Sequence, residues 1–281
     1  MRVLETIEAV RSASRGPHRE GRRVGLVPTM GALHEGHLSL VRAAKAQSDR
    51  VIVSIFVNPT QFGPNEDYAK YPRTFERDCQ LLEKEGIDVV FAPSVEEMYP
   101  SGAVTLVTVG GLSGKLCGKS RPGHFRGVTT VVSKLFHAAE PDKAFFGQKD
   151  AAQVAIIRRM VRDLNMPVEI IVCPIVREPD GLAMSSRNAY LDPQQRKSAL
   201  VLSRSLKRVE GLFAQGERDA CKLISAGQHI IAEEPSVRLD YFELVDNENL
   251  DPVQTVTGTA LVAVAAYVGT TRLIDNTVLT A

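Results

Sequence analysis

V-G-L-V-P-T-M-G-A-L-H-E-G-H, residues 24–37, carries the chain from an apolar run through a Pro/Gly break to two histidines. A helical pattern then opens with Leu38, Leu40, Val41 and Ala44. Strand, turn and helix in that order make the first half of a βαβ unit. At such a junction, unpaired backbone N–H groups and the positive end of the helix favour an anion. His34 and His37 can add hydrogen bonds to phosphate oxygens, and Gly36 between them allows close backbone approach. A zinc reading fails on spacing, because the pair lacks the i, i+4 helical geometry and has no third ligand nearby.

The same alternation extends outward. Strands are expected at 24–27, 51–57, 89–93, 104–109, 143–147 and 168–176. Helices are expected at 37–48, from Thr74 to 85, up to 139, and at 151–164. The N-terminus reads as a short amphipathic helix over 4–11 followed by a loop over 12–23. Runs such as 51–57 are apolar almost without interruption, as suits a parallel strand covered on both faces. The fold class is therefore α/β, a doubly wound, Rossmann-like parallel sheet. After 188 the pattern changes: a long helix from 192 to 214, a second over 218–233, and strands at 237–245, 260–268 and 271–279. We expect two domains, 1–187 and a smaller α+β domain over 188–281.

Composition narrows the function classes. The 281 residues are 44% apolar and 24% charged with a net charge of +1, which gives no bulk attraction for nucleic acid or an anionic membrane. Cys79, Cys117, Cys173 and Cys221 are scattered without a C-x-x-C, as for reduced thiols. The first residues lack the apolar core of a signal peptide, and the run 260–268 is too short to span a bilayer. A cytoplasmic protein is expected.

Polar clusters follow the expected strand ends: the histidine turn, 58–62, 147–150, and the loop 184–187. In an open parallel sheet such ends converge on one crevice. Lys149 could set an ammonium against a phosphate. Ser185, Ser186 and Arg187 offer two hydroxyls and a guanidinium fork. Gln61 and Gln153 are neutral amides able to hold a carboxylate and hydroxyls. No Walker-type loop is present, G-G-L-S-G-K at 110–115 having the wrong spacing. No G-x-G-x-x-G follows a strand, and no serine elbow occurs.

The H-x-G-H turn with a late S-S-R loop resembles the nucleotidylyltransferase superfamily. More specifically, P-T-M-G-A-L-H-E-G-H (28–37), V-N-P-T-Q-F (57–62), Y-P-R-T (71–74), R-P-G-H-F-R-G-V (121–128), F-F-G-Q-K-D (145–150) and D-G-L-A-M-S-S-R-N (180–188) resemble the pantothenate synthetase (pantoate–β-alanine ligase) family. The resemblance implies an ATP-dependent ligase that condenses pantoate with β-alanine through pantoyl adenylate, releasing pyrophosphate and AMP. It implies a nucleotide site of Met30, Gly31, Ala32, Leu33, His34, Glu35, Gly36, His37, Gly147, Gln148, Lys149, Asp150, Val176, Met184, Ser185, Ser186 and Arg187. His37 would be the proton donor, with His34 and Lys149 also catalytic. Gln61 and Gln153 would grip pantoate, Gln61 also lying near β-alanine. Magnesium is expected with ATP, Asp78 and Asp150 being candidate contributors, and the family favours a homodimer. An acyl adenylate hydrolyses readily, so the C-terminal domain, hinged near 177–187, is expected to act as a lid. Two rivals stand beside this reading: a nucleotidylyltransferase acting on a phosphate-bearing substrate, and a nucleotide-binding regulatory protein without turnover.

Overall fold

Residues 51–55 are apolar on both faces, and such a strand is stable only where both faces are covered. In the computed structural model, which describes residues 1–64 and 66–281, they lie inside a six-stranded sheet. Its strands are β1 (Arg2–Leu4), β2 (Val24–Thr29), β3 (Arg50–Ile55), β4 (Val89–Phe91), β5 (Lys143–Gly147) and β6 (Glu169–Cys173). The order is β1-β4-β3-β2-β5-β6, and every pairing is parallel. β2 and β3 pair Gly25 with Val51 and Thr29 with Ile55, so their carboxyl ends finish level. Helices Glu35–Gln47, Phe75–Lys84, His124–Ala139 and Ala151–Asp163 alternate with the strands. One buried cluster joins Val27, Leu38, Val41, Val53, Leu82, Val90 and Phe145. This is the expected α/β architecture.

Several local expectations fail, each for a physical reason. Residues 104–109 do not form a strand: the segment enters no ladder, and Val104 is 88% and Leu106 54% exposed. Side chains hold it instead. The Val107 N–H donates to Thr130 Oγ1 (3.0 Å), and Thr129 Oγ1 donates to the Val107 carbonyl (2.6 Å). The sixth strand is β1, three residues beside β4, too short to leave a periodic signal. The first helix runs Ile7–Arg19, through the expected loop, because Val10, Ser14 and Pro17 form a buried stripe at helical spacing. Tertiary burial there overrides the weak propensity of Gly16 and Pro17.

The chain divides into two compact units. One comprises Met1–Ser113, Arg121–Gly147 and Ile156–Pro174; the other comprises Gly114–Ser120, Gln148–Ala155 and Ile175–Ala281. The second unit contains an antiparallel sheet of β7 (Val237–Asp246), β8 (Thr259–Val268) and β9 (Thr271–Thr280), in that order. Leu202, Leu206, Val209, Leu223, Phe242, Val262 and Val264 fill its core. The long helix expected from 192 is two helices, Pro193–Ala199 and Val201–Ala214. They are separated at Leu200, whose N–H bonds the Lys197 and Ser198 carbonyls. The four cysteines are unbridged. Among the described residues no helix is long and apolar enough to cross a membrane.

Candidate active site

In the first unit, β2 delivers the histidine turn. Gly31 (φ +81°) and Ala32 (φ +50°) both take the left-handed conformation, so the chain reverses sharply before His34. Asp78 holds that reversal. The carboxylate is fully buried and accepts from the Ala32 N–H (2.8 Å), the Leu33 N–H (2.9 Å) and Thr74 Oγ1 (3.1 Å). Thr74, expected to cap the next helix, makes no capping bond, because its hydroxyl is turned to Asp78.

His34 is the N-cap of the helix Glu35–Gln47. The Gly36 N–H donates to His34 Nδ1 (3.1 Å), and the His34 N–H donates to His37 Nδ1 (3.4 Å). An imidazole nitrogen that accepts from a backbone N–H carries no proton, so each ring proton sits on Nε2. The rings are 4.1 Å apart between centroids. Two N–H donors thus stand at a helix start, the geometry that suits an anion. Glu35 is turned to Arg42 in an ion pair at the surface.

The turn after β3 meets the turn after β2. Asn58, 1% exposed, caps the short helix Pro59–Gln61. Asn58 Nδ2 donates to Gln61 Oε1 (3.0 Å) and to the Gly127 carbonyl (3.1 Å). Gln61 Nε2 lies 3.1 Å from Met30 Sδ. Burial pushes the Tyr99 phenol up, so it remains a donor to Asn58 Oδ1 (2.9 Å). The R-P-G-H-F-R-G motif supports this turn from behind. His124 Nδ1 donates to the Gln61 carbonyl (2.8 Å) and its Nε2 accepts from Arg121 Nη1 (3.0 Å). Arg121 is held by Glu66, with Nε–Oε1 at 2.7 Å. Burial pushes the Glu66 carboxyl up, but Arg121, with a Gly63 backbone hydrogen bond and the charge of His124, outweighs that and holds it below the ordinary carboxylate range. A Cβ at Gly127 would lie 2.3 Å from the Thr60 carbonyl oxygen, so only glycine lets the helix His124–Ala139 approach.

The second unit carries Gln148, Lys149, Asp150, Gln153, Val176 and Met184–Arg187. Lys149 is 21% exposed, with Asp150 Oδ2 at 4.0 Å. The Met184 N–H donates to the Val176 carbonyl (3.0 Å), and Arg177 bridges Ala183 antiparallel, so the S-S-R loop leaves a short hairpin. Of its two hydroxyls, Ser185 caps the helix Ser186–Tyr190, accepting from the Arg187 N–H (3.2 Å). Two buried residues of β9, Asp275 and Asn276, organise this region and were missed by sequence reasoning. Their one signal was an adjacent Asp–Asn pair, residue types depleted in strands, inside a strand.

Among the described residues no three His, Cys, Asp or Glu side chains gather to hold a metal. Asp78 is not available as a ligand, since both oxygens are taken up by the turn.

A family model described as pantoate-beta-alanine ligase matches residues 2–278. The chain is 64% identical over 281 residues to a pantothenate synthetase of Koribacter versatilis, covering 100% of this chain and 97% of the relative. It is 61% identical to one of Thermotoga neapolitana, covering 99% and 100%. Among solved structures, a pantothenate synthetase from Thermus thermophilus superimposes with TM-score 0.94 at 47% identity, covering 99% of both chains. A pantoate-beta-alanine ligase from Francisella tularensis, complexed with beta-gamma ATP and beta-alanine, does so with TM-score 0.80 at 35% identity, covering 99% and 97%.

Proposed function

The chain belongs to the pantoate–β-alanine ligase family, and from that premise we propose how its residues divide the reaction. The enzyme is an ATP-dependent ligase that condenses pantoate with β-alanine to pantothenate. We read two steps. A pantoate carboxylate oxygen attacks the α-phosphorus, the bond to the bridging oxygen breaks, and pyrophosphate leaves. The β-alanine amine then attacks the acyl carbon, the acyl–phosphate C–O bond breaks, and AMP leaves with loss of an amine proton to base.

The observation that carries this assignment is the pair of imidazoles at the start of one helix, both with Nδ1 taken up by backbone and the proton on Nε2. In phosphoryl transfer, charge grows on phosphate oxygens and on the departing pyrophosphate, so placed donors matter more than a protein nucleophile. His37 donates to the departing oxygens and His34 to the same phosphate chain. Lys149, Ser185, Ser186 and Arg187 supply further donors. The backbone of Met30–His37, with Gly147, Gln148, Asp150, Val176 and Met184, lines the nucleotide. Gln61 and Gln153 hold pantoate through neutral amides, which favours a carboxylate with hydroxyls over a second phosphate. Magnesium would be carried by the triphosphate and would neutralise its charge, in keeping with the ion's preference for phosphate oxygens and retained waters. Asp150, 48% exposed, is the carboxylate still open to it.

Three further properties belong to this reading. The C-terminal domain, 188–281, shields the acyl adenylate from water. The exposed apolar side chains of Val104 and Leu106 belong to a contact surface of a homodimer. The use of ATP and four free thiols support a cytoplasmic enzyme.

The test is pyrophosphate release. With ATP and pantoate alone it should stop near one equivalent per site, and β-alanine should restore turnover. Release without pantoate, or adenylyl transfer to a phosphate-bearing acceptor, would remove the ligase assignment. His37→Ala should lower the rate of this first step by roughly 10²–10³, the loss of one transition-state donor, with the melting temperature little changed. An unaltered rate would take His37 out of the mechanism.

A further inference from the structure

A lysine on a short helical turn is a loose donor unless something fixes the turn, because its long side chain has many rotamers to lose. The turn Gln148–Asp150 is fixed from the last strand of the chain. Asn276 is 3% exposed. Its Nδ2 donates to the carbonyls of both Gln148 and Lys149 (2.9 Å each), and its Oδ1 accepts from Gln148 Nε2 (3.0 Å). The preceding residue, Asp275, is equally buried and accepts from Arg177 at both carboxylate oxygens (2.7 and 3.0 Å) and from the Asn276 N–H (2.8 Å). Arg177 in turn donates to the Gly181 carbonyl (3.2 Å) at the hairpin that leads to Met184–Arg187. Two consecutive residues on β9 therefore grip the lysine turn on one side and the hairpin of the serine–arginine loop on the other.

We propose that Asn276 is a positioning residue for Lys149, holding the backbone that aims its ammonium, with Asp275 as the brace that keeps Asn276 in place. This rests on the reading of Lys149 as a phosphate-binding group. A side-chain amide is well suited to this role: it is uncharged when buried, and one NH2 group can donate to two carbonyls at once. Asn276 lies far from Lys149 in sequence, so the lysine is competent only once the C-terminal strand is docked.

The experiment is a double-mutant cycle in the full-length enzyme, read as pantoate-dependent pyrophosphate release at saturating ATP. Lys149→Ala should lower kcat by roughly 10²-fold or more, as for loss of a transition-state donor. Asn276→Ala should lower kcat by roughly 10- to 100-fold, the scale of a small misplacement, with KM for ATP changed less. Asn276→Ser, which keeps one donor, should fall between Asn276→Ala and wild type, and it serves if the alanine variant folds poorly. Combined with Lys149→Ala, either Asn276 substitution should cost less than about twofold more, because the group it places is gone. A full multiplicative loss in the double variant would show a purely structural role and overturn the proposal. So would wild-type kcat in both Asn276 variants. A Lys149→Ala enzyme of normal rate would instead overturn the reading of Lys149 and the proposal with it.

Discussion

Single side chains fix the candidate site more than their exposure suggests. Asp78 is a buried carboxylate whose oxygens meet two backbone N–H groups of a turn with two left-handed residues. Asp78→Ala would take the carboxylate away from both buried N–H groups, at about 1–3 kcal/mol for each bond lost. We expect about 3 kcal/mol or more lost in denaturant melts, and a lower adenylation rate at temperatures where the variant is folded. A variant as stable as wild type would mean that water replaces the carboxylate. Glu66 gives a pH prediction. Burial raises its carboxyl, Arg121 together with the Gly63 backbone and the charge of His124 lowers it further, and the folded value lies below the ordinary 4.5. A carboxyl depressed on folding contributes stability above its unfolded value, and that contribution is lost as pH falls through the folded value. Stability should therefore decline below about pH 4.5 in the wild type, and Glu66→Gln should flatten part of that limb. Identical acid limbs would show that the Glu66–Arg121 pair adds nothing to folding.

At the scale of elements, the parts that bear on chemistry are held by close approaches. The helix His124–Ala139 reaches the Asn58–Gln61 turn because Gly127 has no side chain. Gly127→Ala must push the two apart, overpacking of a kind that costs about 1–3 kcal/mol. It should raise KM for pantoate by moving Gln61 while leaving ATP affinity nearly unchanged. Equal effects on both substrates would argue for a general loosening. The R-P-G-H-F-R-G motif was legible in the chain as a sequence landmark, but its work was not. His124 and Arg121 act on a carbonyl some sixty positions earlier, and only folding shows which one. The expected strand 104–109 illustrates the opposite error. β-branched residues mark a segment that fits a pleated surface, yet within this chain two threonines take the hydrogen bonds of Val107, and Val104 and Leu106 face outward while Val109 is buried.

For the whole molecule, that exposed segment carries a prediction about assembly. Large apolar side chains facing water, here Val104 and Leu106, mark a contact surface unless they are covered. Leu106→Lys should shift sedimentation from dimer to monomer while the melting profile of the chain stays single. A wild-type chain that sediments as a monomer would remove the homodimer from the proposal.

Local pattern alone determined a great deal here. Periodicity in the apolar runs and the strand–turn–helix grammar around residues 24–37 led to the parallel sheet. The order of short polar motifs led to the family and its chemistry, because those signals lie within a few consecutive residues. Tertiary structure alone decided what holds the motifs in place: Asp78 under the histidine turn, Arg121 and His124 behind Gln61, Asn276 against the backbone of Lys149. Each is a contact between residues distant along the chain. Which buried polar groups meet is set by how the elements pack, and no stretch of sequence encodes that on its own.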